Sequence, residues 1–256
     1  MSARRFGRTK AVAGLAAAAA LVPPWLLIDP RSAGAKALEQ RFHRWIAAGF
    51  GLRPVVSGRP AGAGTLLVAN HVSWADIVAL ASVVDTDFVA KADVADYPGL
   101  GLLARRTGTI FIDRTRRAAA AAQTDAIRTR LAAGRRVLVF PEGTTSDGAG
   151  VLPFRSSLFA AADAARHVQP VSLFYTARDG APPNAVIRDA VAWLGEQTMA
   201  DNAALLARVR AGIAICFHEP VAPGNFADRK ALAEFCRSAI VRSHAAFQAA
   251  SPKRDP

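Results

Sequence analysis

The sequence predicts an α/β fold: a largely parallel sheet flanked by helices, preceded by an N-terminal membrane-associated helical segment. Three observations lead there. From residue 54 onward, short apolar runs alternate with helical patterns, as in β-α-β units. The chain is 52% hydrophobic and 20% charged, too apolar for a disordered protein. Its 256 residues suit one large domain with a short extension better than two full domains.

The front segment, residues 1–53, holds nine Lys and Arg against two acids, Asp29 and Glu39, a net +7 out of +12 for the whole chain. Within it, Ala11–Ile28 carries no charge. As one helix that run would be about 27 Å long, barely a bilayer core, and Pro23-Pro24 interrupts it. A cleaved signal peptide is the rival reading, with Ala33-Gly34-Ala35 as its A-x-A site, although Asp29 and Arg31 precede that site. Leu38, Phe42, Trp45 and Ile46 then recur at helical spacing, with Lys36, Arg41 and Arg44 on another face and Gly49 and Gly51 marking the stop. A helix of this kind lies in the headgroup plane of a bilayer or packs on a core. His43 sits in it and is free to face headgroups. Basic charge on an apolar chain points to membrane lipids as partners, since anionic lipids attract Lys and Arg. No nucleic acid is needed to explain it.

The two cysteines, Cys216 and Cys236, are too few and too far apart for a disulfide framework or a CxxC metal site, and read as small buried hydrophobes. No metal is expected.

In the body, residues 54–256, strands are expected at Thr65–Ala69, Asp87–Lys91, Thr109–Ile112, Arg136–Phe140, Val168–Phe174 and Ile213–Phe217. Helices are expected at Trp74–Val84, Arg116–Ala133, Ser156–Arg166, Asp201–Ala211 and Asp228–Ala249. Asp179–Asp189, with Pro182-Pro183, reads as an irregular loop. His167, His218 and His244 stand outside any motif and suit surface or packing roles.

Active sites in such sheets sit where strands end, and three strand ends carry unusual residues. Asn70-His71-Val72-Ser73-Trp74-Ala75-Asp76 follows the first apolar strand. On one regular helix His71 and Asp76 would point about 140° apart. They meet only if His71 lies on the turn before the helix, where a carboxylate can fix one ring nitrogen and leave the other free to take a proton. Ser73 suits the helix cap. The second strand end is Gly108-Thr109-Ile110-Phe111-Ile112-Asp113-Arg114. Arg105, Arg106, Arg116 and Arg117 surround it, and Arg114 at the strand end suits a phosphate. Arg116 and Arg117 read as a solvated face. The third is Phe140-Pro141-Glu142-Gly143-Thr144-Thr145-Ser146-Asp147-Gly148. This turn offers N–H and hydroxyl donors to an anion without being a nucleotide P-loop. Glu142 orients the loop or binds a substrate hydroxyl, and Thr145 and Ser146 equally suit turn chemistry.

Together these blocks resemble the glycerolphosphate/lysophospholipid acyltransferase family, the lysophosphatidate acyltransferase-like group. Asn70, His71 and Asp76 match its N-H-x-x-x-x-D block. Gly108, Phe111, Ile112 and Arg114 match its second block. Phe140, Pro141, Glu142, Gly143, Thr144 and Ser146 match its F-P-E-G-T-x-S block, and Val168-Gln169-Pro170-Val171 match the proline-bearing strand of the fourth. Ala192–Glu196 is similar to a segment of bacterial members. The likeness spans roughly residues 36–221.

The resemblance implies acyl transfer from a thioester, acyl-CoA or acyl-carrier protein, to the free hydroxyl of a lysolipid. It implies His71 as general base and Asp76 as its orienting partner. Arg114, Glu142, Gly143, Thr144 and Ser146, with Asn70, Gly108, Phe111 and Pro170, are the implied substrate-binding set. No cofactor beyond the acyl donor is expected, and the expected location is the cytoplasmic face of the bacterial inner membrane. Lysophosphatidate is the default acceptor. Lyso-ornithine lipid is the alternative, because Ser73–Asp76, Thr144–Gly148 and Leu152–Ser156 look like that branch and Thr145 stands where the family often has Arg. Two rival readings remain: a lipid-binding protein that uses no dyad, and a thioesterase that uses water as acceptor.

Overall fold

The computed structural model describes residues 2–30, 32–97, 99–112 and 117–249. Seven strands form one sheet in the order β1-β7-β6-β2-β5-β3-β4. They are β1 (Pro54–Ser57), β2 (Thr65–Ala69), β3 (Asp87–Lys91), β4 (Ile110–Ile112), β5 (Val137–Val139), β6 (His167–Thr176) and β7 (Gly212–Phe217). Strands β2 to β6 run parallel; β7 is antiparallel to β6 and carries β1 parallel to itself. The six expected strands are all present within two residues at either end. The additional one, β1, is a short edge strand that begins on a proline and exposes Val55 and Val56, so it shows little apolar patterning.

Alternation along the strands builds two cores. Leu67, Ala69, Leu138 and Phe140 face helices α3 (Ala33–Phe50), α4 (Trp74–Val83) and α8 (Met199–Val209). Leu66, Val68, Val137 and Val139 face α6 (Arg117–Ala132) and α9 (Arg229–Ala249). β2 is buried over its whole length, as expected of a central strand covered on both faces.

Two expectations for the body fail. Ser156–Arg166 is not a helix: it forms 3-10 turns at Ser156–Phe159 and Ala162–Ala164. The Arg155 N–H is held by Pro141 O and the Arg166 N–H by Gly64 O. Between those ties the buried Phe159, Ala161, Ala162 and Ala165 pack close to the sheet, so small residues that read as helix formers are here packing residues. Asp179–Asp189 is not wholly irregular either. Asn184 caps helix α7 (Ala185–Val191) by accepting the Ile187 N–H at 3.0 Å.

The front segment folds as α1 (Ser2–Ala20), α2 (Val22–Leu26) and α3. Pro23 and Pro24 open α2 rather than breaking a helix, since first-turn N–H groups have no partner to lose. α1 lies backbone to backbone on its neighbours. A methyl group on Gly14 would stand 2.6 Å from Gly49 Cα, and one on Gly7 would stand 2.2 Å from Ala207 O. Ala11, Ala47, Phe50 and Leu52 join the same core as the sheet. The outer surface carries Val12, Leu15, Leu26, Leu27 and Trp45, with Leu27 87% exposed. The run Gly7–Leu26 is long and apolar enough to cross a membrane by length and composition. His43 does not face outward: its ring stands edge-on to Phe42 at 5.2 Å with Nδ1 buried, and burial lowers its pKa to about 4.

Candidate active site

The parallel strands end together on one side of the sheet, and β2 delivers Asn70 and His71 there. Asn70 ties β2 to β6 through both amide atoms, donating to Leu173 O at 3.0 Å and accepting Leu173 N–H at 2.8 Å. The backbone then turns before α4, whose N-cap is Ser73, so His71 lies ahead of the helix. Asp76, on the first helical turn, reaches back. Its Oδ2 accepts His71 Nδ1 at 2.8 Å, Val72 N–H at 2.7 Å and Ser73 N–H at 2.9 Å. An oxygen already taking two backbone N–H groups leaves Nδ1 as the donor, and Nε2 then carries the lone pair. Nε2 has no partner among the described residues, and the His71 side chain is 16% exposed against 0% for Asp76. Phe140 stacks on the imidazole, centroids 4.0 Å apart.

The loop after β5 clamps this turn from the other side. Glu142 Oε1 accepts the His71 N–H at 2.9 Å and Oε2 accepts the Leu152 N–H at 3.2 Å. Burial pushes its pKa up to about 7 against those two bonds. Ser146 donates twice to His71 O, from N at 2.8 Å and Oγ at 3.1 Å. The Thr145 hydroxyl donates to Trp193 O, and Trp193 N–H donates to Val72 O at 3.0 Å. Glu142 and Ser146 therefore tie the His71 backbone to this loop, while Glu142 Oε2 holds Leu152 and Ser146 Oγ also accepts the Gly148 N–H at 3.3 Å. Gly143 needs its φ of 74° and has the Arg155 side chain packed against it, while Thr144 is exposed.

The remaining residues of the implied set scatter. Gly108 is at the opposite end of the sheet, level with Asp87 at the start of β3, where its φ of 84° and a close approach to Asp87 explain the glycine. Pro170 is buried in β6 beside Val68, below the level of His71. Phe111 is half-buried under Arg105, whose guanidinium carbon lies 5.3 Å from the ring centre. Arg114 and Arg116 lie outside the described residues. Arg106, counted in the basic cluster, is structural: it donates to Trp25 O and Ile28 O and lies over the Trp25 ring, tying α5 (Leu100–Arg106) to the α2–α3 link.

With this geometry in view, residues 53–174 match the family model described as acyltransferase. The lyso-ornithine lipid O-acyltransferase of Brucella abortus is 38% identical over 224 residues, covering 83% of this chain and 84% of that protein. That of Pseudomonas aeruginosa is 35% identical over 252 residues, covering 93% and 90%. The chain belongs to the acyltransferase family. The 1-acyl-sn-glycerol-3-phosphate acyltransferase of Neisseria meningitidis is 42% identical to this acyltransferase over 122 residues, covering 46% of this chain and 48% of that protein. The crystal structure of the acyltransferase PlsC from Thermotoga maritima shares the fold, with a TM-score of 0.68 at 21% identity over 98% of this chain and 95% of that one.

Two residues of the candidate site, Asn202 and Tyr175, lie outside the sequence motifs, and Trp193 lies in the Ala192–Glu196 segment. The buried Asn202 on α8 accepts Trp74 Nε1–H at 2.8 Å and donates to Ala192 O at 2.8 Å, fixing the first turn of α4. Trp193 holds Thr145 and Val72. Tyr175 donates to Asp76 Oδ1 at 2.6 Å. A polar tip at the end of an apolar strand was the one signal for Tyr175, since a buried phenol needs a partner.

Proposed function

We propose that this O-acyltransferase moves a fatty acyl group from a thioester, acyl-CoA or acyl-carrier protein, to the free hydroxyl of lyso-ornithine lipid in membrane lipid synthesis. The His71–Asp76 pair carries the chemistry. The acceptor hydroxyl gives its proton to His71 Nε2 as its oxygen attacks the thioester carbonyl. The tetrahedral intermediate collapses, the C–S bond breaks, and the imidazolium returns the proton to the leaving sulfur. Asp76 holds the tautomer and balances the imidazolium, help typically worth about 10²–10⁴ in rate. The donor is the only co-substrate these steps use.

One observation favours this acceptor. The relatives of Brucella abortus and Pseudomonas aeruginosa named for lyso-ornithine lipid match in sequence over most of both chains, whereas the 1-acyl-sn-glycerol-3-phosphate acyltransferase of Neisseria meningitidis matches over about half. Thr145 is consistent with it, because an uncharged hydroxyl tied to Trp193 O adds no cation for a doubly charged phosphate. Lysophosphatidate remains the second reading, supported by the four matched blocks. The +7 front segment and the exposed Val12, Leu15, Leu27 and Trp45 support a position on an anionic membrane surface, at the cytoplasmic face where thioester donors occur. Purified enzyme in vesicles is given either acceptor with either donor, and the acylated lipid is identified by mass. Ornithine lipid as the product at the higher kcat/KM is expected; a preference for phosphatidate overturns the acceptor assignment.

A further inference from the structure

Asp76 has two carboxylate oxygens, and the pairing with His71 uses one. Oδ2 takes three donors within the turn. For Oδ1 the structure records a hydrogen bond from the Tyr175 hydroxyl at 2.6 Å, across from β6. Asp76 is fully buried and Tyr175 is 5% exposed. Burial, and then the Asp76 charge, hold the Tyr175 phenol well above its usual range, so it stays protonated and donates. Tyr175 stands where β6 runs on past the end of β2, two residues after the Asn70–Leu173 tie. That tie sets the height of the phenol relative to the turn.

We propose that Tyr175 is a positioning residue for the His71 base: it fixes Asp76 Oδ1 and so turns Oδ2 toward Nδ1, and it shares the carboxylate charge that His71 feels. The inference rests on the reading of His71 as the base. Other ionisable groups face this pair. Glu142 and Asp147 come from the loop after β5, Arg188 from α7 and His244 from α9, the last three lining a small cavity with Tyr175. None of them is recorded as bonding to either Asp76 oxygen.

Tyr175→Phe removes the donor and keeps the ring. The expected loss in kcat is about 10- to 100-fold, the scale of one hydrogen bond to a charged group. The acid limb of the kcat/KM profile should move to higher pH by about half a unit, because less of the Asp76 charge is shared and the imidazolium is held more firmly. In an Asp76→Asn background the same change should cost less than about twofold, because its route of action is already gone. A merely structural tyrosine would lower stability without moving the acid limb and would act additively with Asp76→Asn. Either result overturns the proposal. His71→Ala is run alongside: if it keeps full activity, the base assignment itself has failed, which is a different outcome from an inert Tyr175→Phe. Should Tyr175→Phe not fold, the native chain supplies the test, since it has two tyrosines and the other, Tyr97, is 47% exposed. With 3-fluorotyrosine at both positions, the Tyr175 fluorine signal should shift on Asp76→Asn and follow the pH of the acid limb while Tyr97 stays still. Indifference of the Tyr175 signal to both sinks the idea.

Discussion

At the turn after β2, buried polar atoms meet partners one by one: Asp76 takes four donors, His71 O takes two, and Glu142 spans two backbone N–H groups. At the crossing of α1 and α3, the contact is two glycines, and what matters is distance between backbones. The first junction is sensitive to which atoms are present, the second to how much volume is present. Hydrogen bonds at 2.6–3.2 Å fix the geometry of the proposed base; close helix contact holds α1 at a fixed place beside α3. Substitutions should therefore separate chemistry at one junction from stability at the other.

The largest effect belongs to His71→Ala. Acyl transfer should fall about 10²–10⁴-fold, the range of general-base catalysis. The clamp on this turn uses His71 backbone atoms that alanine retains, so the protein should fold and the fraction bound to vesicles should barely change, while loss of the Nδ1–Asp76 bond and the Phe140 stack should lower stability by about 1–3 kcal/mol. Unreduced turnover would break the comparison by removing the turn's claim to chemistry. Gly49→Leu tests the other side. Its Cβ would stand 2.9 Å from Gly14 Cα, and backbone cannot yield as a flexible side chain can. Stability should drop by about 3 kcal/mol, the upper part of the overpacking range. The acid limb of the pH–rate profile should not move, because no atom of the dyad has changed. A stability equal to wild type, measured by urea unfolding, would show that α1 does not hold to α3 in solution.

Much of this was legible in the sequence where one pattern meant one thing. The apolar runs of β2 and β3 fell on their observed limits, and the five-residue spacing of His71 and Asp76 demanded a turn before a helix, which is what forms. Legibility failed where one signal served two purposes. Ala-rich Ser156–Arg166 has helix-forming residues but uses their small size for packing. Arg106 added to a positive cluster in sequence, yet in the fold its guanidinium satisfies carbonyls at the α2–α3 link. Gly108 belongs to a block matched for substrate binding, yet it serves a backbone bend beside Asp87. Residues 1–53 read as an anchor, and Ala47, Phe50 and Leu52 show the same segment also walling the core. Nothing local marked Asn202, because the side chain it fixes, Trp74, is 128 residues away and its nearby partner, Ala192 O, is a backbone atom that any sequence supplies.

The smallest effect sharpens the first junction from within. Glu142 is a carboxyl group whose two oxygens accept backbone N–H groups, yet burial outweighs those bonds and lifts its pKa from 4.5 to about 7. The folded state therefore holds the proton more tightly than the unfolded chain does. The stabilisation from a neutral Glu142 is complete below pH 4.5 and is lost as pH rises through about 7. Its size is on the order of 2 kcal/mol, spread over that window. Glu142→Gln keeps an oxygen for His71 N–H but cannot ionise. It should be less stable than wild type at low pH, because its amide nitrogen cannot accept Leu152 N–H, and the gap should close as pH rises and wild type gives up its advantage. Urea midpoints of both proteins across the window measure this directly. Parallel curves would mean that Glu142 is ionised throughout, so that the clamp on His71 is a charged one whose bonds to His71 N–H and Leu152 N–H outweigh its burial.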